Sequence, residues 1–104
     1  MTKIIKTNEF EELVLSSKTP VVIDFYADWC GPCKMMAPVI DHLETESNGA
    51  YAVYKVNVDN EGSLAAKYGI MSIPTVIVFK DGNVAVKTVG IVSEAELKEK
   101  LQSI

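Results

Sequence analysis

Two cysteines lie three positions apart in the segment WCGPC, where Cys30 and Cys33 enclose Gly31 and Pro32. They are the two cysteines of the 104-residue sequence. A pair at this spacing has three chemical uses: a structural disulfide, half of a metal site, or a dithiol that exchanges electrons with another disulfide. The surrounding residues decide which use is favoured.

The structural and metal interpretations of the pair are weak. A bridge between Cys30 and Cys33 closes so short a loop that chain entropy gives it about 2 kcal/mol, against about 4.7 kcal/mol for a loop of 100 residues. A closed structural zinc site needs four ligands, whereas the chain offers two cysteines and one histidine, His42. We expect His42 to be a solvated helix residue, and no metal is predicted.

The redox interpretation uses the local features of the segment. The apolar run VVIDFY at 21–26 predicts a buried strand that ends just before Cys30, and Pro32 suits the first turn of a helix. Unpaired amides and the helix dipole at such a position favour thiolate over thiol. Cys30 is the candidate nucleophile, and Cys33, one turn inside the helix, is expected to be more buried and less acidic. Spacing alone is only moderately specific for this chemistry.

The first half of the chain predicts a βαβ unit. A short amphipathic helix is expected over 8–16, and the strand at 21–26 follows it. Apolar residues at helical spacing then extend the second helix to about Glu46, and YAVYKVNV at 51–58 predicts the next strand. A strand, a helix and a strand of this length form a right-handed crossover with parallel strands.

The second half predicts a helix, a hairpin and a final helix. The helix spans about 63–68 and ends at Gly69. The strands TVIVF and VAVKTV flank the turn dipeptide of Asp81 and Gly82, which indicates an antiparallel hairpin. Ser93 caps the final helix, with Glu96 expected to complete a capping box. The sum is an α/β domain with a mixed sheet covered by helices on both faces.

Composition excludes several classes of partner. The net charge is −4, and all ten basic residues are lysines, so neither a nucleic acid nor an anionic membrane is the expected partner. No run approaches the ~20 apolar residues of a membrane span, and the start MTKIIKTNEFEEL lacks the apolar core of a secretory signal. We therefore expect a cytosolic protein, where structural disulfides are rare.

The run VVIDFYADWCGPCKMMAP resembles the active-site segment of the thioredoxin family. The segments SIPT at 72–75, KDG at 80–82 and VG at 89–90 fall where that family has corresponding ones, so the likeness covers essentially the whole chain. The resemblance implies a thioredoxin fold over 1–104, with a five-stranded mixed β-sheet flanked by four α-helices. The sequence has no long heptad pattern and no apolar surface stripe, so we expect a monomer, and we expect no cofactor.

Two charged residues on predicted strands have both a structural and a functional interpretation. Asp24 lies in the middle of an apolar strand, where an ionised carboxylate is costly and its pKa should rise. It is either a hydrogen-bonded structural acid or, as the resemblance implies, the group that takes the proton from Cys33. Lys55 lies on the adjacent strand, where a lysine commonly extends to solvent. The resemblance places it in the catalytic set, near enough to Asp24 to moderate that raised pKa.

The resemblance also implies a substrate-binding surface around Cys30. X-Pro bonds are cis in only ~5% of folded cases, but the family carries a cis proline at the position of Pro74, facing the dithiol. Gly90 has a structural alternative as a strand-end turn. Tyr26 departs from the tryptophan of many family members, and Met71 precedes the proline where others have a charged residue or glycine. The implied surface residues are Trp29, Gly31, Pro32, Ile73, Pro74 and Gly90.

Two function classes follow. The first is a thiol–disulfide oxidoreductase, a dithiol electron carrier that reduces disulfides in cytosolic proteins through a mixed disulfide at Cys30, which Cys33 resolves. By family analogy it is re-reduced by a thioredoxin reductase that uses NADPH and flavin, or by a ferredoxin-dependent one. The second class is a binding or chaperone subunit of the same fold, in which the dithiol is not essential. Gly31 and Pro32 between the cysteines disfavour an oxidant or isomerase.

Overall fold

The computed structural model describes residues 2–104 and contains one five-stranded sheet with helices on both faces. A π-helical turn, Glu11–Leu15, continues the first helix. The elements are β1 Lys3–Ile4, α1 Thr7–Phe10, β2 Val21–Tyr26, α2 Gly31–Thr45, β3 Ala52–Asn57, α3 Gly62–Lys67, β4 Thr75–Lys80, β5 Asn83–Val89 and α4 Glu94–Gln102. These elements confirm the predicted fold class.

The strand order is β1-β3-β2-β4-β5. β1, β3 and β2 run parallel, β4 is antiparallel to β2, and β5 is antiparallel to β4. The predicted βαβ unit is therefore β2–α2–β3, with its two strands as parallel neighbours. Since β2 is the central strand, all six of its residues are buried, as the continuous apolar run predicts.

Side chains of β2 alternate between two cores. Val21, Ile23 and Phe25 pack on the side of α1 and α3. Val22 packs on the opposite side, against the buried stripe of α2 and Leu97 of α4. Because alternate residues of a strand share a face, Asp24 lies on the same face as Val22, which is the face that α2 covers.

The hairpin and the final helix form largely as predicted. Asp81 and Gly82 both have positive φ, 54° and 79°, the combination that a tight type I′ turn requires. Ser93 Oγ accepts a hydrogen bond from the Glu96 N–H at 3.1 Å. The expected capping box is incomplete, because no bond between residues 2–104 returns from the Ser93 N–H to the Glu96 carboxylate, which stays exposed to solvent.

Two features of the N-terminal part differ from the pattern analysis. β1 has two residues, too few for a periodic signal, and it is held by pairing with β3. The helix predicted at 8–16 forms one residue earlier and widens into the π-helical turn, where the Ser16 N–H donates to the Glu11 carbonyl oxygen. We have no physical account of that widening. Within residues 2–104, no helix combines the length and apolar character that crossing a bilayer requires.

Candidate functional site

Cys30 and Cys33 lie at the start of α2, just after the loop that connects it to β2. Cys30 is the N-cap residue of α2, and Gly31 and Pro32 form the start of the helix, where the missing N–H of proline costs no hydrogen bond. The Cys33 N–H donates to Cys30 Sγ at 3.2 Å. The two sulfurs are joined as a disulfide, with 5.2 Å between the Cα atoms, so the structure represents the oxidised form.

The helix start favours Cys30 over Cys33 as the nucleophile. A donor amide aimed at Sγ, together with the positive end of the helix dipole, stabilises negative charge on that sulfur after reduction. The expected difference in burial is not seen: Cys30 is 4% exposed and Cys33 is 3% exposed. The expectation was wrong for the oxidised form, in which both cysteines pack into one buried cluster with Tyr26 and Ala27.

Asp24 is fully buried. Neither carboxylate oxygen has a hydrogen-bond partner among the protein groups of residues 2–104. Burial raises the pKa of Asp24 from 3.8 to about 6; the Lys55 charge lowers it and Asp41 adds to the rise. A carboxyl with a pKa near neutrality exchanges protons readily at physiological pH, as a general acid or base must.

Lys55 is the partner of Asp24 in the parallel register of β2 and β3. It moderates the raised pKa of Asp24, as expected, although it forms no ion pair with it. The Lys55 ammonium lies 4.3 Å from the centroid of the Tyr26 ring. Lys55, Tyr26 and Cys33 line the same cavity of about 160 Å³.

The segment before β4 completes the surface beside Cys30. The Ile73–Pro74 bond is cis, as the resemblance implied. The Ile73 carbonyl oxygen lies 3.8 Å from Cys30 Sγ, a packing contact, since a disulfide sulfur has no hydrogen to donate. The Gly90 N–H donates to the Pro74 carbonyl oxygen at 2.8 Å, which brings the end of β5 to the same place. Gly90 has a φ of 90°, so its interpretation as a strand-end turn also holds.

Trp29 lies on the surface next to Cys30. Its side chain is 71% exposed, and Nε1 donates to Asp59 Oδ2 at 2.8 Å. Sequence reasoning missed Asp59. The parallel pairing of β2 and β3 offered a signal, because residues that follow two parallel neighbours meet at one edge of the sheet. Two other apolar side chains, Met71 and Ile91, are exposed close in sequence to Pro74 and Gly90.

A second titratable cluster joins α2 to α4. His42 hydrogen-bonds to Glu94 at 2.6 Å, and Lys98 forms ion pairs with both Glu94 and Glu46. His42 is exposed, as expected, but it is engaged with Glu94 rather than only solvated. Because Lys98 lies between the two carboxylates, the cluster forms an ion-pair network across the two helices.

Comparisons with known proteins agree with this geometry. A family model described as Thioredoxin matches residues 1–103. The chain is 46% identical over 100 residues to "Thioredoxin M-type, chloroplastic" of Pisum sativum, covering 96% of this chain and 58% of that protein. It is 46% identical over 88 residues to "Thioredoxin" of Pseudomonas aeruginosa, with 85% and 82% covered. It is 44% identical over 93 residues to "Thioredoxin 1" of a Nostoc species, with 89% and 87% covered. The chain thus spans little more than half the length of the chloroplast relative.

Proposed function

The chain belongs to the thioredoxin family, and from that premise we propose that it is a thiol–disulfide oxidoreductase, a dithiol carrier that reduces disulfides in other proteins. One observation carries the proposal. The Cys30–Cys33 pair caps α2 so that a backbone amide points at Cys30 Sγ, and the exposed Trp29 and the half-buried Ile73 lie beside it. A disulfide that served only as a staple would need no amide aimed at one of its sulfurs.

The proposed reaction begins with the reduced form. The Cys30 thiolate attacks one sulfur of a partner disulfide, the partner's S–S bond breaks, and its released sulfur takes up a proton. Cys33 then loses its proton to Asp24, and its thiolate attacks Cys30 Sγ in the mixed disulfide. The partner's second sulfur leaves as a thiolate and is protonated. Two electrons have moved to the partner, and the Cys30–Cys33 disulfide remains.

The other predicted site residues have supporting roles in this proposal. Lys55 keeps positive charge near Asp24, so that the buried carboxyl can release the proton again. An extended partner segment pairs with the backbone before Pro74, a short instance of strand addition. The surface on which the partner lies is formed by Trp29, Gly31, Pro32, Ile73, Pro74 and Gly90.

The partners and the setting are also part of the proposal. The substrates are disulfide-containing proteins, and the oxidised chain is returned to the dithiol by a thioredoxin reductase, either the NADPH- and flavin-dependent or the ferredoxin-dependent type. We propose a cytosolic location, because a redox-active dithiol works as a reductant only where the surrounding thiol pool is reduced. The net charge of −4 supports protein partners over nucleic acids.

The Cys33→Ser variant tests the proposed function. We expect it to accumulate a stable mixed disulfide through Cys30 when it is reduced and mixed with an oxidised protein substrate, because the resolving thiol is missing. Cys30→Ser is the matched control, since it keeps the resolving sulfur and removes the nucleophile. Mass spectrometry after acid quenching measures the adduct. Equal, non-covalent retention of the partner by both variants would contradict the carrier and favour the binding subunit.

A further inference from the structure

Asp24 and Lys55 are neighbours that do not touch. They are register partners on β2 and β3, yet no carboxylate in residues 2–104 lies within ion-pair distance of the Lys55 ammonium. Both oxygens of Asp24 lack a hydrogen-bond partner in the same part of the chain. Lys55 therefore acts on the carboxyl across a gap, and its effect depends on where its flexible side chain holds the charge.

The charged end of Lys55 lies over the ring of Tyr26. The Lys55 ammonium lies 4.3 Å from the ring centroid, well inside the roughly 6 Å within which a ring face attracts a cation. Tyr26 follows Asp24 by two residues on β2, so the ring is on the same face of the sheet as the carboxyl. The ring is 8% exposed, and an attraction of this kind is stronger where water is excluded.

The ring and the ammonium also stand beside Cys33. Tyr26, Lys55 and Cys33 line the cavity of about 160 Å³, together with Lys34 and Ala37. Since a water molecule takes roughly 30 Å³ of liquid volume, this opening has room for several. The position of the Lys55 ammonium therefore bears on the charge next to Cys33 as well as on Asp24.

We propose that Tyr26 is a positioning residue: the face of its ring fixes the Lys55 ammonium beside the cavity and so sets how readily the buried Asp24 carboxyl takes up and releases a proton. The proposal rests on the proposed function, because this proton matters to the reaction only if Cys33 resolves a mixed disulfide. It gives a chemical use to Tyr26, which stands where many thioredoxins have tryptophan.

The groups around the carboxyl define what loss of the ring should do. The charges that act on it are Lys55 on β3 and Asp41 on α2. Lys55 also lines the cavity with four further titratable groups, Tyr26, Asp28, Cys33 and Lys34. On β4, Asp24 faces Val76, which carries no charge. Burial and Asp41 both raise the pKa of Asp24, and Lys55 opposes them. Without the ring the flexible Lys55 side chain can extend its ammonium into solvent. The one influence that lowers the pKa of Asp24 is then weaker, so we expect that pKa to rise.

The test replaces Tyr26 and follows Asp24 directly. We expect Tyr26→Leu to raise the Asp24 pKa by about half a unit, roughly a three-fold lower dissociation constant, as followed by the carboxyl ¹³C resonance across a pH titration. Tyr26→Phe keeps the ring face and should leave that pKa unchanged. Tyr26→Met is the second ring-free variant, and it carries the test if the leucine variant does not fold.

A double-mutant cycle separates positioning from a change in burial. In a Lys55→Met background there is no charge to position, so Tyr26→Leu should add no further shift. The same shift with and without Lys55, or no shift with it, would overturn the proposal. The titration needs no partner protein, so its outcome is independent of whether the Cys33→Ser variant captures substrates. If Cys33→Ser captures a substrate but Tyr26→Leu leaves the Asp24 pKa unchanged, the role of Tyr26 is refuted and the proposed function stands.

Discussion

Replacing Asp24 by asparagine should stabilise the protein at neutral pH and have little effect at acid pH. The carboxyl is fully buried, no group of residues 2–104 hydrogen-bonds to it, and its pKa is raised from 3.8 to about 6. The native state therefore binds this proton more tightly than the unfolded state does. Stability from this group is present at low pH and is lost as pH rises from about 4 to 6. Asparagine has nearly the same shape and no charge to bury.

The magnitude follows from the pKa difference. A rise of roughly two units at about 1.36 kcal/mol each gives ~3 kcal/mol in favour of Asp24→Asn above pH 7. About half of this should remain near pH 5, and less than about 1 kcal/mol near pH 4. For a domain whose total stability is typically 5–15 kcal/mol, the effect is large.

Urea unfolding of the oxidised wild type and Asp24→Asn, at pH 8, 5 and 3.5, measures the free-energy difference. Other titrating groups are common to both proteins, so their contributions cancel in that difference. A constant offset from the asparagine amide is acceptable, because the test is the change with pH. A difference that stays the same from pH 3.5 to pH 8, or that grows toward acid, would refute the raised pKa of Asp24.

Two further substitutions test how the scaffold holds the site. Gly82→Ala should cost about 1–2 kcal/mol in urea unfolding, because Gly82 has a φ of 79° and an added Cβ would lie 3.1 Å from the Leu15 carbonyl oxygen. Gly62→Ala, with open space and no positive φ, is its control and should be neutral or stabilising; equal losses would show that the turn geometry is not the cause. Ser93→Ala should cost about 1 kcal/mol by removing the acceptor for the Glu96 N–H, while Ser93→Asp keeps a cap. No loss in thermal unfolding would contradict the cap.

The features of the site that depend on neighbouring residues in the sequence were predictable. The contacts between side chains of different strands and loops were not. The strand–CGPC–helix order placed Cys30 at a helix start, and an acid inside VVIDFY had to be buried. The cation over the Tyr26 ring and the bond from Trp29 to Asp59 join β2 and its loop to β3 and its loop. They depend on side-chain reach across the sheet, which spacing along the chain does not encode.

The fold boundaries show the same division. Asp81 and Gly82 fixed the hairpin because the turn type demands positive φ at both positions. The sequence pattern did not predict β1, because its two residues form a strand only by pairing with β3. The equal burial of the two cysteines also depends on tertiary packing, because Val58 and Ile73 from distant segments cover their cluster.

Asp24 separates the two candidate function classes in physical terms. A subunit that only binds partners would use the surface around the exposed Trp29 and the half-buried Ile73, and nothing in that surface requires a charge beneath it. An apolar residue at position 24 would join the α2-facing core beside Val22 and avoid a cost of ~3 kcal/mol at neutral pH. An unpartnered carboxyl whose pKa lies near neutrality is, however, what proton transfer to and from a resolving thiol requires. A buried carboxyl on the face of β2 that α2 covers therefore favours the electron carrier over the binding subunit.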